Sequence, residues 1–166
     1  MLSRRAVSTD QCRIIIVAYA IIMVYEPLMF DECIYFNTQA LGRQLDRIWT
    51  KAFKPFDLTP PQGFLLRAVL DRPGMLQSEL SEGLKIARAT ATRSLDGLEA
   101  RGLIERRSTK RDGRESEIYP SPQAQEIKEG LNRASGEVTK RLKAKLGEAT
   151  FTAFVEQSKA IAANVS

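Results

Sequence analysis

The chain has 166 residues, 43% of them apolar and 27% charged, with a formal net charge of +5; these are the proportions of a soluble globular domain with its own core, and the positive balance favours an anionic partner. Histidine is absent and cysteine occurs only as Cys12 and Cys33, so Ser-His-Asp triads, Cys-His pairs, imidazole metal ligands and cysteine-rich zinc sites are excluded. No two acids share an evident pocket, and Gly63, Gly74 and Gly83 lack the companions of a phosphate-binding loop; no enzyme activity, cofactor or metal is expected.

Residues 14–25 form an unbroken apolar run, IIIVAYAIIMVY, closed by Glu26 and Pro27. A bilayer span needs roughly 20 apolar residues, and no small-residue cleavage site follows. Three readings stay open for this extension, residues 1–30: a buried or interface helix, non-native sequence ahead of a true start at Met29, and membrane attachment. Amphipathic sequence begins only near Met29, which favours the second. No stable membrane association is expected, and the expected location is the cytoplasm.

In residues 31–53 the apolar positions Ile34, Leu41, Leu45, Ile48, Ala52 and Phe53 make one helical stripe. Lys54, Pro55, Phe56 and Asp57 break it. A second helix starts at Thr59, Pro60, Pro61 and Gln62. Thr59 and Gln62 have capping-box spacing, and the prolines occupy the first turn, where a missing N–H costs nothing. Asp71, Arg72, Pro73 and Gly74 end this helix.

Two short, closely joined helices follow. Leu76, Leu80 and Leu84 recur every four residues, and Lys85 and Ile86 make the turn. The next helix runs over about residues 87–101 and stops at Gly102. Ala91, Leu95 and Leu98 share one face; Ala89, Thr92, Arg93, Asp96 and Ala100 lie opposite. A helix that enters a DNA groove needs such a face, with short side chains for close approach and arginine for base edges or phosphates.

Residues 103–107 and 115–119 read as two strands, and Asp112-Gly113 between them is a hairpin signal. The hairpin tip carries Lys110, Arg111 and Arg114. Residues 85–115 hold nine cations and five anions, nearly the whole net charge of the protein. Binding to phosphates calls for that concentration. Ser121 and Pro122 then cap a long helix with an apolar stripe of Ile127, Leu131, Ala134, Val138, Leu142 and Leu146, up to Gly147. A last helix carries Phe151, Phe154, Val155 and Ile161. These stripes exceed what a small domain needs, and they point to helix–helix dimerisation together with the first helix.

The expected fold is therefore mainly α with a small β-wing: a winged helix-turn-helix domain over residues 58–120, flanked by dimerisation helices over residues 31–57 and 121–166. The expected partners are double-stranded DNA and a second copy of the chain. A contrasting reading is a winged-helix module that binds protein and has no sequence-specific DNA contact.

The order of elements, with these residues, resembles the MarR family of bacterial transcription regulators over residues 31–165. The motifs that carry the resemblance are Leu58-Thr59-Pro60-Pro61-Gln62, Gln77-Ser78-Glu79-Leu80, Thr92-Arg93, residues 98–106 (LEARGLIER) and Arg111-Asp112-Gly113-Arg114. The resemblance implies a homodimer on a palindromic operator, repressing genes until a small molecule or an oxidant lowers its affinity for DNA. It implies that Arg114, oriented by Asp112, enters the minor groove from a basic tip that includes Lys110 and Arg111. It further implies that Ser78 contacts phosphate and that Arg88, Thr90, Thr92 and Arg93 lie on the recognition helix. The chain departs from the family pattern at Pro120-Ser121-Pro122, after the wing, and in the first thirty residues.

Several side chains keep two readings. Arg93 either contacts DNA or pairs with Asp96 or Asp46. Of Arg106 and Arg107, which alternate on a strand, one is expected to face solvent only. Arg101 either caps carbonyls at its helix end or touches phosphate. Cys33 is either a buried structural thiol or a redox sensor, which would need a nearby cation or helix N-terminus. Trp49, Phe53, Phe56, Phe64 and Arg67 are either ordinary core or, by resemblance, a pocket for an aromatic or phenolic effector.

Overall fold

The computed structural model describes residues 30–108 and 116–165. The apolar run 14–25, Cys12 and the hairpin tip with Lys110, Arg111, Asp112 and Arg114 lie outside the described residues. The chain divides into two compact units, Met1–Arg43 and Gln44–Ser166, and the division falls inside the first helix, α1 (Ile34–Phe53).

In the first unit a turn leads into α1. The Asn37 side-chain amide donates to the carbonyls of Asp31 (2.6 Å) and Cys33 (3.0 Å), tying the turn to the helix. Phe30 stacks near Phe36 with ring centroids 5.9 Å apart. Ile34, Tyr35 and Leu41 are exposed. Cys33 is half-buried and its thiol is free.

The second unit begins with the end of α1, where Phe53 is fully buried. Pro55 then forces a 3-10 turn, Lys54–Phe56, closed by Asp57 in the left-handed region (φ 54°). Helix α2 (Pro60–Asp71) starts after Thr59. The Gln62 side-chain oxygen accepts from the Thr59 N–H (3.1 Å) and from the Thr59 hydroxyl (3.0 Å), so the glutamine satisfies the start of the helix as its spacing predicted. Gly63 lets α2 approach Phe53: a Cβ there would lie 2.5 Å from a ring carbon.

Beyond Gly74 lie β1 (Met75–Leu76), α3 (Gln77–Gly83), α4 (Arg88–Ala100), β2 (Ile104–Ser108) and β3 (Ser116–Pro120). The three strands form an antiparallel sheet in the order β1-β3-β2. Met75 pairs with Ile118, and Arg106 pairs with the same residue from the other side. The expected two-stranded wing thus gains a third, two-residue strand, which includes Leu76, read from the sequence as part of a helical stripe. Helix α4 ends in a left-handed Gly102 (φ 67°), with Leu103 N–H on the Leu98 carbonyl (3.0 Å) and Gly102 N–H on that of Glu99 (2.8 Å). This double bond pattern is the helix stop that Gly102 predicted.

Helix α5 (Pro122–Leu146) is capped by the Ser121 hydroxyl, which accepts from Ala124 N–H (3.1 Å). Helix α6 (Glu148–Asn164) follows Gly147. The core gathers Phe53, Leu65, Leu66, Val69, Leu80, Leu95, Leu98, Ile104, Ile118 and Leu131, drawn from the elements of this unit and not from α6. Each such side chain contributes about 1.5–3 kcal/mol by leaving water. No residue of α6 is buried, and Leu146, Phe154, Ile161 and Val165 are exposed. None of the helices among the described residues is long and apolar enough to cross a membrane.

Candidate DNA-binding surface and effector pocket

Helix α4 owes its posture to α3. Ala91, Leu95 and Leu98 are buried, which turns Arg88, Ala89, Arg93, Asp96 and Ala100 outward. Thr92 is half-buried: its hydroxyl accepts from the Gln77 amide (2.7 Å) and donates to the Arg88 carbonyl (2.9 Å). Thr92, expected on the DNA-facing side, also fastens α4 to the first residue of α3. Ser78, the second residue of α3, is half-buried, and its carbonyl accepts from the Ser81 hydroxyl (2.8 Å). Thr90 and Arg93 line an open hollow of about 370 Å³ with Thr59, Pro61, Gln62 and Ser94.

The cations of the segment fall into three groups. Arg106 is forked between Asp96 (2.6 Å) and Glu99 (2.5 Å), which pins the base of the wing to α4. Arg107 pairs with Glu105 (3.2 Å) and lies 4.2 Å above the Tyr119 ring. Arg106 is therefore the inward member of the pair, and Arg107 is exposed while keeping its contacts to Glu105 and Tyr119. Arg101 bonds the carbonyls of Phe56 (3.0 Å) and Asp57 and pairs with the Asp57 carboxylate (3.3 Å). It does cap carbonyls, but those of the loop before α2 and not those of its own helix. The tip cations are outside the described residues. Lys85, Arg88 and Arg93 remain; they are exposed and enter no ion pair among the described residues. Arg93 does not pair with Asp46 or with Asp96, whose oxygen is taken by Arg106; its Nε donates to the Ala89 carbonyl one turn back (3.2 Å).

Next to the second helix is a larger hollow of about 760 Å³. Trp49, Phe64 and Arg67 line one side, and Asn132, Ser135, Thr139, Lys140 and Lys143 of α5, with Glu148, line the other. Trp49 and Phe64 meet edge to face with centroids 4.9 Å apart. Arg67 donates from Nε to Asn132 (2.8 Å) and from a terminal nitrogen to Ser135 (2.6 Å). Neither partner is a carboxylate, and burial lowers the Arg67 pKa from its ordinary value, the direction expected for a cation losing water. Glu148 is taken by Lys143 (2.6 Å). The hollow thus offers aromatic walls and a half-buried guanidinium that pairs with no carboxylate among the described residues.

The five residues expected at this pocket separate. Phe53 is fully buried and packs beneath Trp49 and Phe64, with centroids 5.6 and 5.5 Å away, so it supports the wall from behind. Phe56 lies instead at a smaller hollow of about 260 Å³ with Pro55, Arg101 and Ile127. The α5 residues were missed by sequence reading. Their signal was the recurrence of polar residues at helical spacing on one face of α5, which is also what a solvated face looks like.

A helix-turn-helix followed by a small antiparallel sheet, with two exposed arginines on the second helix that enter no ion pair among the described residues, defines a winged helix-turn-helix protein. A family model described as MarR family matches residues 56–115. The HTH-type transcriptional regulator YybA of Bacillus subtilis (strain 168) is 30% identical over 93 residues, which span 56% of this chain and 62% of that protein. The transcriptional regulator HosA of Escherichia coli O111:H- is 32% identical over 93 residues, 49% of this chain and 69% of that protein. A MarR family regulator from Listeria monocytogenes, solved in complex with 26mer DNA, superposes with a TM-score of 0.69 at 25% identity, covering 80% of this chain and 88% of that one. The chain belongs to the MarR family. The family and these relatives are regulators of transcription and not enzymes, in agreement with the reading that found no catalytic constellation.

Proposed function

We propose that the protein is a homodimeric, ligand-responsive repressor that binds a palindromic operator through α4 and the wing. The observation that carries this reading is the outer face of α4. Arg88 and Arg93 stand there with Ala89 and Ala100, exposed and without carboxylate partners among the described residues, while Arg101 and Arg106 are taken up in bonds to other elements of the domain. Exposed guanidiniums on a face of short side chains suit a major groove, where arginine reads guanine edges or grips phosphate. The Listeria relative's complex with DNA supports the same partner. Ser78 and Thr90 flank this face. The tip residues Lys110, Arg111, Asp112 and Arg114 keep the role in the minor groove that the resemblance implies.

Dimerisation rests on the apolar side chains left uncovered in α1, and on Phe154, Ile161 and Val165 at the C-terminal end. Residues 31–57 and 121–166 act as the dimerisation helices around the DNA-binding domain 58–120. The effector is an aromatic or phenolic anion held by Trp49, Phe64 and Arg67. A specific complex of this kind has a steep salt dependence, because phosphate contacts release counterions.

The test is binding to a palindrome from the protein's own promoter and to random duplex across a salt series. Operator preference with affinity falling steeply as salt rises supports the regulator. A flat response without preference supports the alternative of a protein-binding winged helix.

A further inference from the structure

We propose that Arg101 is a positioning residue for DNA recognition: it latches the far end of α4 to the loop that joins α1 to α2, and so sets the angle at which the recognition helix is presented. This rests on the DNA-binding reading above.

The loop is a poor structure by itself. Its last residue, Asp57, holds a left-handed backbone (φ 54°), a region that non-glycine residues occupy at a cost, aspartate less than most. Side-chain packing does not fill the space beside it: a hollow of about 260 Å³ remains between Pro55, Phe56, Arg101, Gln123 and Ile127. The loop is instead held by hydrogen bonds. Asp57 N–H closes on the Lys54 carbonyl (2.9 Å), and the Arg101 fork takes the last two carbonyls of the loop, those of Phe56 (3.0 Å) and Asp57.

Arg101 caps the C-terminal end of α4, directly after Ala100 and before the left-handed Gly102. Its backbone is therefore fixed to the recognition helix while its side chain is fixed to the loop. Phe56, whose carbonyl it holds, follows Phe53 by one turn, and Phe53 carries the end of α1 into the core. A planar fork bonded to two adjacent carbonyls permits one orientation of the two segments, where a lysine ammonium permits many. The Asp57 carboxylate is a minor partner, because its side chain is 95% exposed and exposed pairs contribute little.

In a dimer gripped through its flanking helices, the angle of each α4 to the end of α1 decides how far apart two half-sites must lie. The latch thus acts on spacing preference rather than on contact with any base. A merely structural role would lower stability and the active fraction, and would leave the spacing preference of the folded protein unchanged.

The test uses the full chain with three substitutions, Arg101→Met, Arg101→Lys and Asp57→Gly. Affinity is measured for the native operator and for operators with one base pair added or removed between half-sites, alongside thermal unfolding. Wild type is expected to prefer native spacing. Arg101→Met is expected to reduce that preference about fivefold or more, the lower range of coupling between linked sites. Arg101→Lys is expected to fall between the two, and Asp57→Gly to keep wild-type preference, since glycine accepts the left-handed backbone and the two carbonyls remain. If Arg101→Met does not fold, Arg101→Lys decides. An unchanged preference in a folded Arg101 variant, or a loss in Asp57→Gly equal to that in Arg101→Met, overturns the latch. Absence of any operator preference in wild type overturns the DNA reading first and the latch with it.

Discussion

The helix-turn-helix region and the C-terminal helix α6 treat their apolar residues in opposite ways. In α4, Ala91, Leu95 and Leu98 are all fully buried, and what faces outward is charged or small. In α6 no residue is buried, and Phe154 and Ile161 are about half exposed. The first region is complete within one chain, and its outer face is free to meet a polar partner. The second leaves apolar side chains exposed, which is the basis of the dimerisation proposed above. On the proposed reading, one chain supplies the DNA-reading head and α6 supplies the joint to a second copy.

Breaking the joint is expected to have the largest effect. Phe154→Asp with Ile161→Asp should yield a folded monomer by sedimentation and lower operator affinity by about 100-fold or more, because the second half-site is no longer held at high effective concentration. Retention of a dimer would remove α6 from the interface. Breaking the head from inside comes next: Leu98→Ala should lower unfolding free energy by about 2–5 kcal/mol, the usual range for a fully buried leucine, read by denaturant titration. Gly63→Ala should cost less, about 1–3 kcal/mol, as the Phe53 ring is forced to move.

Weaker effects sharpen the comparison by separating contact from support. Arg67→Leu should leave DNA binding intact and abolish release by aromatic carboxylates, a response of about 5–150-fold in comparable systems, measured by titrating the preformed complex. Full release in that variant would move the effector site elsewhere. Arg107→Ala removes only an exposed pair and a ring contact, so operator affinity and stability should change little, by less than about 1 kcal/mol.

Most of the helical frame was legible in the sequence because it is punctuated locally. Pro55, the Thr59-Pro60-Pro61 start, Gly102 and Ser121-Pro122 each act within a few residues of where they stand. Strand β1 was not legible: two residues carry no periodicity, and their partner Ile118 lies far along the chain. The arginines show the same divide. Their number pointed to a basic surface, yet the partners of Arg101 and Arg106 lie on other elements, so their structural roles emerge only in three dimensions. The pocket was half legible. Aromatics beside Arg67 on two successive helices were visible as a cluster, whereas the α5 wall resembles any solvated helix face, and Phe53 and Phe56 differ from Trp49 and Phe64 only by which way the backbone turns them.

The most direct measurement of the central claim is the salt dependence of operator affinity for wild type against Arg88→Ala with Arg93→Ala. The expected result is a lower affinity for operator, about 10-fold or more, and a shallower slope, reduced by about one for each phosphate that the dimer no longer neutralises, with unfolding unchanged. An affinity and a slope equal to those of wild type would contradict the assignment of the outer face of α4 to DNA.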